Sequence, residues 1–306
     1  MRSLALSFAL LAAGSSAVTA ASTPTCAKGL YMVVARGTEE PAGLGVTGNL
    51  TSQIAAKVPG SQVVAVDYPA TFDDYEGSEG KGVEDMQKLV NAYGQACPDN
   101  KIAILGYSQG AQISSDSVCG GSGSPFIEDK ALSTSIMDNV VAVAIFGDPT
   151  HVANLTYDRG TSVRDGIFNR TEASIDVCKS YSSRIVSYCD TGDIYCDSGS
   201  NTTIHHLYIE RYGDDIVNFV VSQFEKAAGS SSNSSSSSTT TAPPTSSATA
   251  SPTSGGSGGR TNSTTSAPTK SASASTSPKS AANALTPAAG SLIFGAGLLA
   301  VLSQML

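Results

Sequence analysis

Five short segments are apolar on nearly every residue instead of every second one. They are LYMVVA (30–35), SQVVAVDYP (61–69), KIAILGY (101–107), VVAVAIFG (140–147) and SRIVSYC (183–189). A strand with one wet face alternates apolar and polar side chains, so runs like these belong to a sheet buried on both faces. Helical stretches fall between and after them: one near 44–57, GVEDMQKLVNAYGQA (82–96) and DDIVNFVVSQFEKA (214–227). In the second, Val83, Met86, Leu89, Val90 and Tyr93 recur at helical spacing. The alternation predicts an α/β domain with a five-stranded parallel sheet covered by helices on both faces. Function in such sheets collects at the carboxyl ends of the strands.

The flanks differ in character. Residues 1–20 carry Arg2, the apolar run LALSFALLAA and small residues ending at Ala20, the layout of a secretory signal peptide. That run falls short of the about 20 apolar residues a bilayer span needs. From 229 to 282 the chain is Ser, Thr, Ala, Gly and Pro with no acidic residue, which predicts a disordered, O-glycosylated stalk. Small residues at Ser280, Ala281 and Ala282, a spacer and an uncharged apolar end predict a GPI-attachment signal over 283–306. A tail anchor is the alternative, but no basic residue follows the apolar run to mark a cytoplasmic side.

One domain remains, 26–228. Its 26 acidic residues face 14 Lys and Arg, a balance of −12, which repels phosphate backbones and excludes nucleic acid as a partner. All six cysteines lie here: Cys26, Cys97, Cys119, Cys178, Cys189 and Cys196. An even number in a secreted chain predicts three disulfides, whose pairing spacing alone leaves open. Asn49, Asn154, Asn169 and Asn201 open N-x-[ST] sequons.

Three motifs compete for a function. Gly43-Leu-Gly45-Val-Thr-Gly48 has dinucleotide-fingerprint spacing, but RGTEEPAG separates it from its strand, where the real motif turns at once. It reads as a glycine-rich loop. CDTGDIYCDSGSN (189–201) is acidic but lacks the alternating ligands and closing Glu of an EF-hand, and secreted cysteines favour disulfides over zinc. No metal or organic cofactor is expected. GYSQG (106–110) is G-x-S-x-G in its proper setting, a strand before it and a helix after it.

A serine hydroxyl attacks only when a base takes its proton and a carboxylate orients that base. The histidines are His151, His205 and His206. The order Ser, acid, His expected around G-x-S-x-G is met by Ser108, Asp193 and His205 or His206. Asp190 and Asp197 are rival acids. Asp148, with His151 three residues on, reads as a turn residue before Pro149. Spacing alone does not choose between the adjacent histidines.

GYSQG, YCDTGDIYC, HHLYIERYG and VVARGTEEP together resemble the fungal cutinase and acetylxylan esterase family, over essentially all of 26–228. The resemblance implies an α/β-hydrolase fold without a large lid. It maps a D-x-x-C acid onto Asp193 and an H-x-x-Y base onto His205, since Tyr208 lies three residues on. It also implies an oxyanion hole at Thr38 and Gln109, and disulfides Cys26–Cys97, Cys119–Cys178 and Cys189–Cys196. The expectation is a secreted, cell-surface, monomeric serine esterase acting on cutin or other short- to medium-chain acyl esters. Acetylated xylan is the alternative within that chemistry, and a catalytically idle wall or adhesion module is the alternative outside it.

Overall fold

β1 (Leu30–Ala35) divides its side chains between two cores. Leu30, Met32 and Val34 join one buried cluster, and Tyr31, Val33 and Ala35 join another on the opposite face. β3 (Lys101–Tyr107) and β4 (Val140–Phe146) do likewise, with Ile104 and Val143 on one side and Leu105 and Phe146 on the other. Burial of each large aliphatic side chain contributes roughly 1.5–3 kcal/mol. In these three strands the continuous apolar runs are the sequence trace of two-sided burial. The computed structural model describes residues 24–126 and 130–234. The expected signal peptide, the expected stalk beyond Ser234 and the expected GPI-attachment signal lie outside these.

The sheet is parallel throughout, with strand order β2-β1-β3-β4-β6-β5. β2 (Gln62–Ala65), β5 (Asp158–Gly160) and β6 (Ile185–Cys189) complete it. α1 (Gly48–Lys57) and α7 (Tyr208–Ser234) cover one face through Leu50, Ile54, Ile216, Val217 and Val220. α2 (Tyr75–Ala96), α3 (Gln109–Cys119) and α5 (Glu172–Ser180) cover the other. α4 (Thr134–Met137) and α6 (Thr202–His205) are single turns. From β1 the chain steps outward to β2, then returns to lay β3 on β1's other side. The strand order therefore reverses between β1 and β3, where ligands of open α/β sheets bind.

Four features depart from expectation. The run at 61–69 forms only the short strand β2, partly exposed because it lies at the sheet edge with one neighbour. Among the described residues the sheet has six strands, not five. β5 is an edge strand of three residues, Asp-Arg-Gly, held by backbone pairing to β6 and by Leu155 N–H donating to Asp158 Oδ2 (2.7 Å), so it carries no apolar signature. α2 begins at Tyr75 and not near 82, capped by Asp74, which accepts from Gly77 N–H. Of the glycines that mask this start, Gly82 faces α3, where a Cβ would lie 2.2 Å from Ile113 Cδ1, and Gly77 sits against the capping Asp74 carboxylate. α7 runs from Tyr208 to Ser234, past both ends of the expected helix and past the compositional boundary at Gly229.

The disulfides are Cys26–Cys97, Cys119–Cys178 and Cys189–Cys196. They tie the amino-terminal segment to the end of α2, α3 to α5, and the two ends of the loop after β6. No helix among the described residues is long and apolar enough to cross a membrane.

Candidate active site

Ser108 occupies the corner between β3 and α3 with φ 54° and ψ −120°, a conformation that L-residues avoid. Holding it costs about 1–3 kcal/mol. The surrounding packing imposes the bend, and the Ser108 amide donates to Phe146 O (3.0 Å). The flanking glycines permit close approach. A Cβ on Gly110 would lie 2.1 Å from Ala35 O and 2.4 Å from Arg36 O, and one on Gly106 would lie 2.2 Å from Gly110 O. α3 can therefore press against the end of β1 only without side chains at these positions.

α3 is buried along its whole length although its sequence, QGAQISSDSVC, is largely polar. Its polar groups bond inward. Ser114 Oγ donates to Gly110 O (2.7 Å), Ser115 Oγ to Asp148 Oδ2 (2.9 Å), and Asp116 pairs with Arg170. Burial raises the Asp116 carboxyl, and the Arg170 guanidinium opposes that. The nucleophile helix is thus fixed by a polar network instead of an apolar stripe.

His205 closes α6, whose N-cap Asn201 accepts from the Thr203 and Ile204 amides. Its Nε2 lies 2.8 Å from Ser108 Oγ and its Nδ1 lies 2.9 Å from Asp193 Oδ2. Ser108 is 8 % exposed, His205 3 % and Asp193 0 %. The Asp193 carboxylate takes four donors: Tyr195 N–H (2.7 Å) and Cys196 N–H (3.1 Å) on Oδ1, His205 and the Tyr208 hydroxyl (2.7 Å) on Oδ2. Burial pushes this carboxyl up, but His205, Tyr208 and the Tyr195 amide together hold it below the usual carboxylate range. The Cys189–Cys196 bridge closes the loop that carries it.

The alternatives left open in the sequence have other partners. Asp190 accepts from Arg211 Nη1 (2.5 Å), Tyr212 Oη (2.6 Å) and the Thr161 amide (3.1 Å). Asp197 accepts from Arg164 Nη2 (2.6 Å) and the Gly192 amide (2.7 Å). Asp148 caps its own turn at the Thr150 amide (2.8 Å). His206 Nδ1 lies 3.1 Å from the Tyr107 hydroxyl, whose proton is donated to the His205 carbonyl (2.9 Å). His151 is buried away from Ser108, its ring 3.9 Å from Asp158. Among the described residues no cluster of His, Cys, Asp and Glu is arranged to hold a metal.

Thr38 follows β1 across the switch point from Ser108. Its loop is organised by two residues that sequence reasoning passed over. The buried Arg36 donates to Glu40 O (2.8 Å) and Tyr68 O (2.8 Å). Glu40 accepts from the Gly37 amide (2.6 Å) and the Val46 amide (2.8 Å). The Thr38 Oγ1 is buried and makes no hydrogen bond among the described residues. Gln109 opens α3, where helix geometry leaves the backbone N–H without an intrahelical acceptor. Its side chain accepts from Ser78 Oγ (3.1 Å). The arrangement is suited to proton removal from a hydroxyl beside donors for a developing oxyanion. The only sign of Arg36 and Glu40 in the sequence was a charged cluster directly after an apolar strand.

Residues 26–224 match the cutinase family. The chain is 34% identical over 205 residues to acetylxylan esterase 2 of Talaromyces purpureogenus, covering 63% of this chain and 86% of that protein. It is 33% identical over 204 residues to cutinase 11 of Verticillium dahliae, covering 63% and 68%. A solved structure of an iodinated acetyl xylan esterase aligns with a TM-score of 0.61 at 30% identity, covering 65% of this chain and 100% of the other.

Proposed function

Because this chain belongs to the cutinase family, we propose that Ser108, His205 and Asp193 are the nucleophile, the general base and the orienting acid of a serine esterase. The protein is a carboxylic ester hydrolase, as its acetylxylan esterase and cutinase relatives indicate, which sets aside an idle wall or adhesion module. One observation carries the assignment: the continuous chain from Ser108 Oγ through the His205 imidazole to Asp193 Oδ2.

Ser108 Oγ attacks the ester carbonyl as His205 Nε2 takes its proton, and Asp193 stabilises the imidazolium. The carbonyl oxygen becomes an oxyanion held by the Gln109 and Thr38 amides and the Thr38 hydroxyl, at about 3 kcal/mol per donor. Collapse of the tetrahedral intermediate expels the alcohol, which His205 protonates. Water, deprotonated by His205, then hydrolyses the acyl-enzyme. Ser108→Ala is expected to lower kcat/KM for p-nitrophenyl acetate by about 10⁴-fold or more and to abolish fluorophosphonate labelling. Persistent activity in that variant overturns the assignment.

For the polymer, the acetylxylan esterase relative supports acetylated xylan and the cutinase relative supports cutin. Rates on acetylxylan, a cutin-like polyester and tributyrin by the purified enzyme separate the two. The enzyme acts as a monomer, exported by its signal peptide and tethered by the 229–282 stalk and a GPI anchor. Release of activity from cells by phosphatidylinositol-specific phospholipase C is expected. Activity found wholly in the medium contradicts the tether.

A further inference from the structure

We infer that Tyr208 is a positioning residue that, through Asp193, sets the pH at which His205 becomes available as a base. This rests on the triad reading above. Tyr208 is 1 % exposed at the start of α7, and its hydroxyl donates to Asp193 Oδ2 at 2.7 Å. That is the oxygen facing His205 Nδ1 at 2.9 Å, so phenol and imidazole share one acceptor. The phenol oxygen in turn accepts from the Asp190 amide (3.0 Å) and lies 3.1 Å from Cys196 Sγ. The O–H is therefore aimed by the loop after β6 and by the disulfide that closes it. Burial and the adjacent Asp193 charge push the phenol far above its ordinary value, so it remains a donor throughout the working range.

The groups facing the imidazole are few. Ring centroids lie 4.6 Å away for Tyr195, 5.2 Å for Tyr107, 5.9 Å for His206 and 6.3 Å for Tyr208. Asp193 is the carboxylate in contact with the imidazole, while Asp190 and Asp197 on the same loop are bonded to Arg211 and Arg164. The charge His205 meets is thus mainly that of Asp193 Oδ2, reduced by whatever the Tyr208 hydroxyl withdraws. Removing the hydroxyl returns that charge to Oδ2 and stabilises the imidazolium. The proton then leaves at higher pH.

The experiment compares wild type, Tyr208→Phe, Tyr208 replaced by 3-fluorotyrosine, Tyr212→Phe and Ser108→Ala, reading kcat/KM for p-nitrophenyl acetate against pH. A hydrogen bond to a carboxylate is worth roughly half a pH unit to one unit. That figure belongs to the carboxylate itself, so the acid limb, which reports the imidazole, should move up by at most about that much in Tyr208→Phe, with KM little changed. Fluorination makes the phenol a stronger donor and should move the limb down. Tyr212, whose hydroxyl bonds Asp190 and not Asp193, should leave it in place. The fluorotyrosine variant keeps the phenol and decides the matter if Tyr208→Phe does not fold. An inactive Ser108→Ala with the limb unmoved in the Tyr208 variants, or moved equally in Tyr212→Phe, overturns this inference alone. An active Ser108→Ala overturns the triad beneath it.

Discussion

At the scale of single residues, Gly110 and Asp158 each carry a prediction. A methyl on Gly110 meets two backbone carbonyls, neither of which can rotate away. Gly110→Ala should therefore displace α3 from β1, lowering Tm and cutting activity on a soluble ester by more than tenfold, as expected when a reacting group is misplaced by about 1 Å. Asp158 lies within 3.9 Å of His151, close enough for an ion pair. Burial nevertheless pushes Asp158 up to about 7 and His151 down, so both favour their neutral forms and we treat the pair as neutral. A carboxyl whose folded pKa exceeds its unfolded one adds stability below the unfolded value and loses it as pH rises through the folded value. The window here runs from 3.8 to about 7. Asp158→Asn should match wild type in Tm near the low end of that window and exceed it above the high end. A Tm difference that does not grow across it refutes the assignment.

At the scale of elements, α2 and α3 test how the scaffold holds the serine. Asp74 is the N-cap of α2, and Asp74→Ala should cost about 1 kcal/mol in denaturant unfolding with little change in kcat. The Cys119–Cys178 bridge spans a sequence separation of 59 and joins α3 to α5. Replacing both cysteines by alanine should cost about 4 kcal/mol on the loop-entropy account, read as a fall in Tm. Elements also differ in how much of them the sequence reveals. β3 and β4 were legible residue by residue, because burial on both faces demands continuous apolar side chains. β5 was not, because an edge strand of Asp-Arg-Gly is defined by backbone pairing alone. The start of α2 was hidden by glycines, one of which, Gly82, faces Ile113 in a contact that exists only once two helices meet.

At the scale of the whole molecule, the proposed catalytic groups, their supporting loops and the three disulfides all fall within the span 24–234. A protein of those residues alone should keep kcat/KM on p-nitrophenyl acetate within about twofold of the full chain, inside ordinary surface-change effects. A larger loss would show that the segment after Ser234 contributes to the site. The acidic balance of −12 should keep such a domain soluble and off polyanions.

The primary structure by itself determined the parallel architecture and the strained corner at Ser108. Both arise from local rules: two-sided burial writes apolar runs, and a strand-to-helix bend writes glycines around its apex. Apart from the family resemblance, which carboxylate and which histidine approach that corner was decided by the tertiary structure. Asp190, Asp193 and Asp197 are equivalent in composition and lie within one short loop. They differ because Arg211 and Arg164, remote in the chain, occupy two of them and leave the third to His205. His205 and His206 are adjacent, and the turn of α6 sends one ring to Ser108 and the other to Tyr107. The family's D-x-x-C and H-x-x-Y patterns point to Asp193 and His205 by resemblance, but composition and spacing alone do not, because the physical choice depends on contacts between residues far apart in the polymer.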